Sequence, residues 1–193
     1  MTACNFVLEP FPDLPFPGGV RVSGQARRQG SELQLEWRLE GPVGLLALPL
    51  PESPPERRHG LWEATCFECF LASPDRPGYW EFNLSPAGHW NVFRFDGYRS
   101  GMRDETAFDA LPVAVAHGPG TCHVSLRLDT TQLGIADDPW LLGISTVLAE
   151  SDGHVTYWAL LHPALQPDFH QAAGFRIGLG ADRPVGNKPS VDL

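Results

Sequence analysis

Three stretches of the chain carry side chains able to do chemistry. They are Gly60-Leu61-Trp62-Glu63-Ala64-Thr65-Cys66-Phe67-Glu68-Cys69-Phe70, Tyr79-Trp80-Glu81-Phe82-Asn83-Leu84-Ser85-Pro86-Ala87-Gly88, and Phe93-Arg94-Phe95-Asp96-Gly97-Tyr98. Read as strands, period-two alternation puts Trp62, Ala64, Cys66, Glu68 and Phe70 on one face. Glu81 and Asn83 share a face of the next strand, opposite Trp80, Phe82 and Leu84. An unpaired charge inside a core costs several kcal/mol, so these acids and this amide face either water or a polar site. Arg94, on the adjoining arm, is placed to pair with Glu81 or Glu68 as a two-pronged carboxylate partner. A salt-bridged sheet surface with no ligand fits the same pattern.

A second constellation lies in His162-Pro163-Ala164-Leu165-Gln166-Pro167-Asp168-Phe169-His170. Two imidazoles and a carboxylate could hold a metal or exchange protons in a metal-dependent enzyme. The plainer reading is that His162 ends a strand and Asp168 caps the turn that follows. Cys66 and Cys69 are three apart and so point to opposite faces of a strand, which suits buried free thiols better than zinc. No Gly-x-Ser-x-Gly elbow occurs, and no Gly-rich phosphate loop opens a helix. Glu68 and Glu81 are the right residue types for glycoside hydrolysis, but spacing does not separate that from binding.

The elements that must position these residues are short and β-type. Glu32 to Glu40 alternates without a fault, with Leu33, Leu35, Trp37 and Leu39 inward. Thr121 to Thr130 does the same through Cys122, Val124, Leu126 and Leu128. Further strands are expected at Val20–Arg27, Leu45–Leu48 and Leu61–Leu71, and hairpins pair Tyr79–Leu84 with His89–Phe95 and Trp140–Glu150 with His154–His162. Helical turns are expected only near Thr130–Ile135 and Asp168–Ala173. About nine or ten one-faced strands must bury their apolar sides against a second sheet. The predicted fold is therefore an all-β antiparallel sandwich of jelly-roll or Greek-key type, one domain over 1–193. Residues 1–19, with prolines at 10, 12, 15 and 17, read as an extended lead-in, and 178–193 as an irregular tail.

Composition narrows the partners. A chain of 193 residues with 20 glycines and 19 prolines has the turn content of such a fold. Its net charge of −9 disfavours nucleic acid. No apolar run approaches the roughly 20 residues of a membrane-spanning helix, and no secretory leader is evident, so a cytoplasmic location is expected. Oligomeric state is not legible.

Trp62, Glu68, the Tyr79-Trp80-Glu81-Phe82-Asn83 strand, Ser85-Pro86-x-Gly88 and Arg94-Phe95-Asp96-Gly97 together resemble the DOMON-like superfamily, which is related to family 9 carbohydrate-binding modules and to haem-binding cytochrome domains. The resemblance is strongest over residues 60–102 and continues through Tyr157–His162 and Pro167–His170. It implies a non-catalytic sandwich that binds a small ligand, most naturally a saccharide. Trp62 would stack on the sugar, Glu68, Glu81 and Asn83 would bond its hydroxyls, and Arg94 would orient the carboxylates. Phe169 beside His170 stands where a second stacking tryptophan is absent. No cofactor is required. Haem, held by Met102 with His162 or His170, and calcium are the alternatives on the cofactor side, and a protein-interaction domain with no small ligand is the alternative function.

Overall fold

Antiparallel pairing accounts for every strand in the computed structural model, which describes residues 1–12 and 19–181. The strands are β1 (Thr2–Pro10), β2 (Arg21–Gln29), β3 (Glu32–Glu40), β4 (Cys66–Ala72), β5 (Tyr79–Leu84), β6 (Trp90–Phe95), β7 (Arg103–Asp104), β8 (Val113–Gly118), β9 (Thr121–Asp129), β10 (Trp140–Ala149), β11 (Val155–Ala159) and β12 (Ile177–Leu179). They follow the order β7-β6-β5-β4-β10-β11-β1-β2-β3-β9-β8, with β12 beside the first residues of β10. The path curls into two facing halves. β1 belongs to both, pairing β2 through Thr2–Leu8 and β11 through Glu9 and Pro10.

The expected alternation fills the space between the halves. Leu33, Leu35, Trp37 and Leu39 of β3 and Cys122, Val124, Leu126 and Leu128 of β9 are buried. They join one apolar cluster with Phe67, Cys69 and Leu71 of β4, Trp80, Phe82 and Leu84 of β5, and Trp90 and Val92 of β6. Each large apolar side chain so buried contributes roughly 1.5–3 kcal/mol. β3 and β9 keep the opposite parity partly or fully exposed, as a one-faced strand should. β4 and β5 do not. Both faces of these strands are buried, and Phe70, Tyr79, Phe93, Phe95 and Phe175 form a second apolar cluster away from the sandwich core.

That second face is covered because a glycine lets the chain approach it. A Cβ on Gly143 of β10 would stand 2.6 Å from the Phe175 ring, so only a bare backbone lets Phe175 lie on the sheet, 5.8 Å from Phe70 in a stacked arrangement. The segment leading to Phe175 is thereby laid across β4, β5 and β10. At the far edge Gly78, at φ +73°, turns the chain into β5 so closely that a Cβ would strike the Phe95 carbonyl at 2.0 Å.

Several expectations need correction. The expected lead-in holds a full strand: β1 runs Thr2–Pro10, with a proline only at its last position, and is buried at Phe6 and Leu8. Gly178 and Leu179 belong to β12 rather than to a tail; residues 13–18 and 182–193 lie outside the described residues. Val43–Leu45 is a 3-10 turn followed by a single bridge at Leu46, because prolines 42, 49 and 51 confine the apolar run between them. Leu61–Glu63 is likewise a 3-10 turn, so Trp62 precedes β4 instead of sitting on it. His89, at the turn before β6, is buried: its Nδ1 accepts from the Glu56 backbone N–H and its Nε2 lies 3.0 Å from Glu52.

Candidate functional site

The register of β4, β5, β6 and β10 decides which side chains meet. Glu68 pairs with Asn83 on one side and Ser145 on the other, while Phe70 pairs with Glu81, and Glu81 with Phe93. Glu68 and Glu81 are thus diagonal neighbours on the outer face, at a separation where side chains interact. Around them lies a cleft of about 370 Å³. Trp62, Phe70, Phe95, Tyr157 and Phe169 supply its aromatic surface, and Met102, Val147 and Pro167 its other apolar surface; Arg99 and His170 complete it.

Both acids are buried, Glu68 at 2 % and Glu81 at 5 % exposure. Oε2 of Glu68 accepts from the Ser145 hydroxyl at 2.9 Å, and Oε1 of Glu81 accepts from the Asn83 amide at 2.9 Å. Burial, reinforced by the neighbouring Glu81 charge, pushes the Glu68 carboxyl up to about 8, against the pull of the Ser145 bond. Burial also raises Glu81, opposed by its bond from Asn83 and by Arg99. The floor of the cleft therefore holds a carboxyl pair that retains a proton at neutral pH.

The rim is held by a polar chain. Asp168 accepts from the Tyr98 hydroxyl, from Arg99 Nη2 at 2.9 Å, from Gln171 at 3.0 Å and from the His170 backbone N–H at 3.2 Å. Burial would raise this carboxyl, but those donors outweigh it and hold it below the usual range. Arg99 takes the left-handed conformation at φ 47°, unusual for a residue with a Cβ, and its backbone N–H donates to the Tyr79 hydroxyl at 3.3 Å. That hydroxyl is then free to donate to Nδ1 of His170, 2.7 Å away, which leaves Nε2 as the protonated nitrogen, 3.9 Å from Oε2 of Glu81. Burial, with the Arg99 charge nearby, lowers His170 to about 4, so its ring is neutral near pH 7.

Of the residues expected at a site, Trp62, Glu68, Glu81, Phe169 and His170 line this one cleft. Asn83 is buried behind them, bonded to Glu81. Arg94 is not part of it. It pairs with Trp80 across the hairpin and so shares the opposite parity to Glu81; its guanidinium lies 4.0 Å over the Trp80 ring and donates to the Pro77 carbonyl at 2.7 Å. The supposed metal set is dispersed: Nε2 of His162 bonds the Glu9 carbonyl, Asp168 serves the rim, and His170 serves Tyr79. Among the described residues, no group of three or more His, Cys, Asp or Glu is placed to hold a metal. The cap reading of Asp168 holds through its bond from the His170 N–H. Cys66 and Cys69 are buried free thiols on opposite faces, Cys66 beside Asn83.

Sequence reasoning missed Phe95, Arg99, Val147, Tyr157 and Pro167 as site residues. Hairpin parity could have found two of them: Phe95 faces Tyr79 across β5–β6, and Tyr157 faces Val147 across β10–β11. Arg99 gives no local signal.

No family model matches the sequence, and no curated protein matches it. Solved structures that share its fold include two described as carbohydrate-binding. A candidate carbohydrate-binding protein from Bacteroides uniformis matches with a TM-score of 0.61 at 13% identity, over 87% of this chain and 83% of its own. A family 9 carbohydrate-binding module from Caldicellulosiruptor kristjanssonii, in complex with cellotriose, matches with a TM-score of 0.50 at 11% identity, over 90% of this chain and 82% of its own. At such identities the likeness is one of architecture, and the chain has the β-sandwich fold of a family 9 carbohydrate-binding module.

Proposed function

We propose that this protein is a non-catalytic saccharide-binding domain, of the DOMON-like kind, that receives a sugar in the cleft between Trp62 and Phe169. The observation that carries the reading is the pairing of aromatic surface with buried carboxyls in one concavity. A pyranose has an apolar C–H face that stacks on a ring and a rim of hydroxyls that needs charged or amide partners. Trp62, at 37 % exposure, presents such a ring at the mouth, edge-on to Phe93 at 5.6 Å. Glu68 and Glu81 offer acceptors below it, and Tyr157 with Phe169, 6.2 Å apart, gives the far wall. The volume lies at the small end of ligand pockets, suiting one sugar unit or a chain end.

Hydrolysis is the less favoured use of the same acids. A glycosidase sets its two carboxyls on either side of the scissile bond. Here both rise from adjacent strands of one sheet face. Titration calorimetry and tryptophan quenching against a panel of mono- and disaccharides test the reading. Binding is expected, and Trp62→Ala is expected to weaken it at least about tenfold by loss of stacking while leaving the melting temperature nearly unchanged. Absence of both heat and quenching across the panel would overturn it.

A further inference from the structure

Among the described residues, the cleft floor carries two acids and no cation bonded to either. Oε1 of Glu68 and Oε2 of Glu81 receive no hydrogen bond from any described residue, although both side chains are more than nine-tenths buried. Each charged or titratable group facing them is otherwise engaged. The Arg99 charge reaches Glu81, but its hydrogen bonds go to Asp168, through Nε at 3.2 Å and Nη2 at 2.9 Å. His170 is neutral, with Nδ1 held by Tyr79. Burial raises both the Tyr79 phenol and the Cys66 thiol, so these stay protonated and uncharged.

Around this carboxyl pair stand the rings of Trp62, Phe70, Phe95, Tyr157 and Phe169. Ring faces attract a cation, and carboxyl oxygens without a protein donor accept strong bonds from an ammonium group once ionised. We infer that the cleft selects a saccharide bearing a free ammonium group, an amino sugar, whose N–H bonds go to Glu68 and Glu81 and whose ring lies against the aromatic wall. This rests on the saccharide reading above and adds the ligand's charge.

The proton balance follows from the carboxyl pair. Near pH 7 Glu68 holds a proton in the empty cleft. The incoming ammonium favours the carboxylate, so the Glu68 O–H bond breaks and its proton passes to buffer as the ion pair forms. A neutral sugar exerts no such pull.

The test compares glucosamine, glucose, N-acetylglucosamine and the non-sugar cyclohexylammonium by calorimetry near pH 7, in phosphate and in Tris. Their different ionisation heats report released protons. Glucosamine is expected to bind about tenfold tighter than either neutral sugar, the difference between charge-assisted and neutral hydrogen bonds, with release of up to about one proton. Glu68→Gln is expected to abolish that release and most of the preference. If glucose or N-acetylglucosamine binds as well as glucosamine, or if Glu68→Gln keeps the full preference, the ammonium inference falls and the saccharide reading stands. If cyclohexylammonium binds and no sugar does, the cleft takes an ammonium group but not a saccharide, and the amino-sugar inference falls with the saccharide reading. If nothing binds, both fall.

Discussion

A carboxyl kept protonated by its surroundings taxes the fold whenever the solvent would rather ionise it. Glu68 sits at about 8 in the folded protein against an ordinary 4.5. Below the ordinary value both states are protonated and nothing is lost. As pH rises from there toward 8 the unfolded chain ionises first, and stability falls. Above 8 both states are ionised and the loss is constant. At 1.36 kcal/mol per unit, the loss is on the order of 3 kcal/mol at pH 7 and on the order of 5 kcal/mol beyond pH 8. Glu68→Gln removes the titration, keeps an acceptor for Ser145 and preserves volume. The variant should therefore match the parent near pH 4 and gain as pH rises, by roughly 6–12 °C in melting temperature at pH 7 for a chain of this size. Thermal unfolding of both proteins from pH 4 to 8 measures this directly. A gain independent of pH, or a loss at pH 8, would show that the native protein holds Glu68 ionised and well satisfied, and the account of the cleft floor would fail.

Other outcomes follow from the same geometry. Arg94→Ala should leave sugar binding unchanged and cost about 1 kcal/mol of stability through the lost stacking on Trp80, measured by denaturant unfolding beside the binding titration. Arg28 is buried 3.6 Å over Trp140 and donates to carbonyls of Gly30, Ala136, Asp138 and Leu179. Arg28→Ala orphans those acceptors and should cost at least ~3 kcal/mol by the same assay. Gly143→Ala forces Phe175 off the sheet, so a loss of about 1–3 kcal/mol with weakened binding is expected, whereas unchanged binding would mean that the covering segment does not shape the cleft.

The sandwich was legible wherever one face meets the core and the other meets water. β3 and β9 alternate from end to end, and that parity is the buried set. It was legible in part for β4 and β5. Glu68, Glu81 and Asn83 announced a face unsuited to an oily interior, but their burial under a roof depends on Phe175 and Gly143, distant in sequence. Arg94 was misassigned because its place on the hairpin arm was read without the strand register. The Ser85–His89 turn pairs Leu84 with Trp90, which sends Arg94 to the Trp80 side. β1 was hidden by the prolines that follow it, although Phe6 and Leu8 carry its pattern. Arg99 could not be found from a window of sequence, since its place depends on Asp168, 69 residues onward.

The strand shared by both halves also constrains how the domain comes into being. Once β1 has been made, Glu9 and Pro10 find their partners, Ala159 and Trp158, only after some 150 further residues have been translated. Until then one half lacks its seam to the other. The wall bearing Tyr157 arrives together with that seam, so a nascent chain halted before β11 can carry most of its final hairpins and still lack one wall of the cleft.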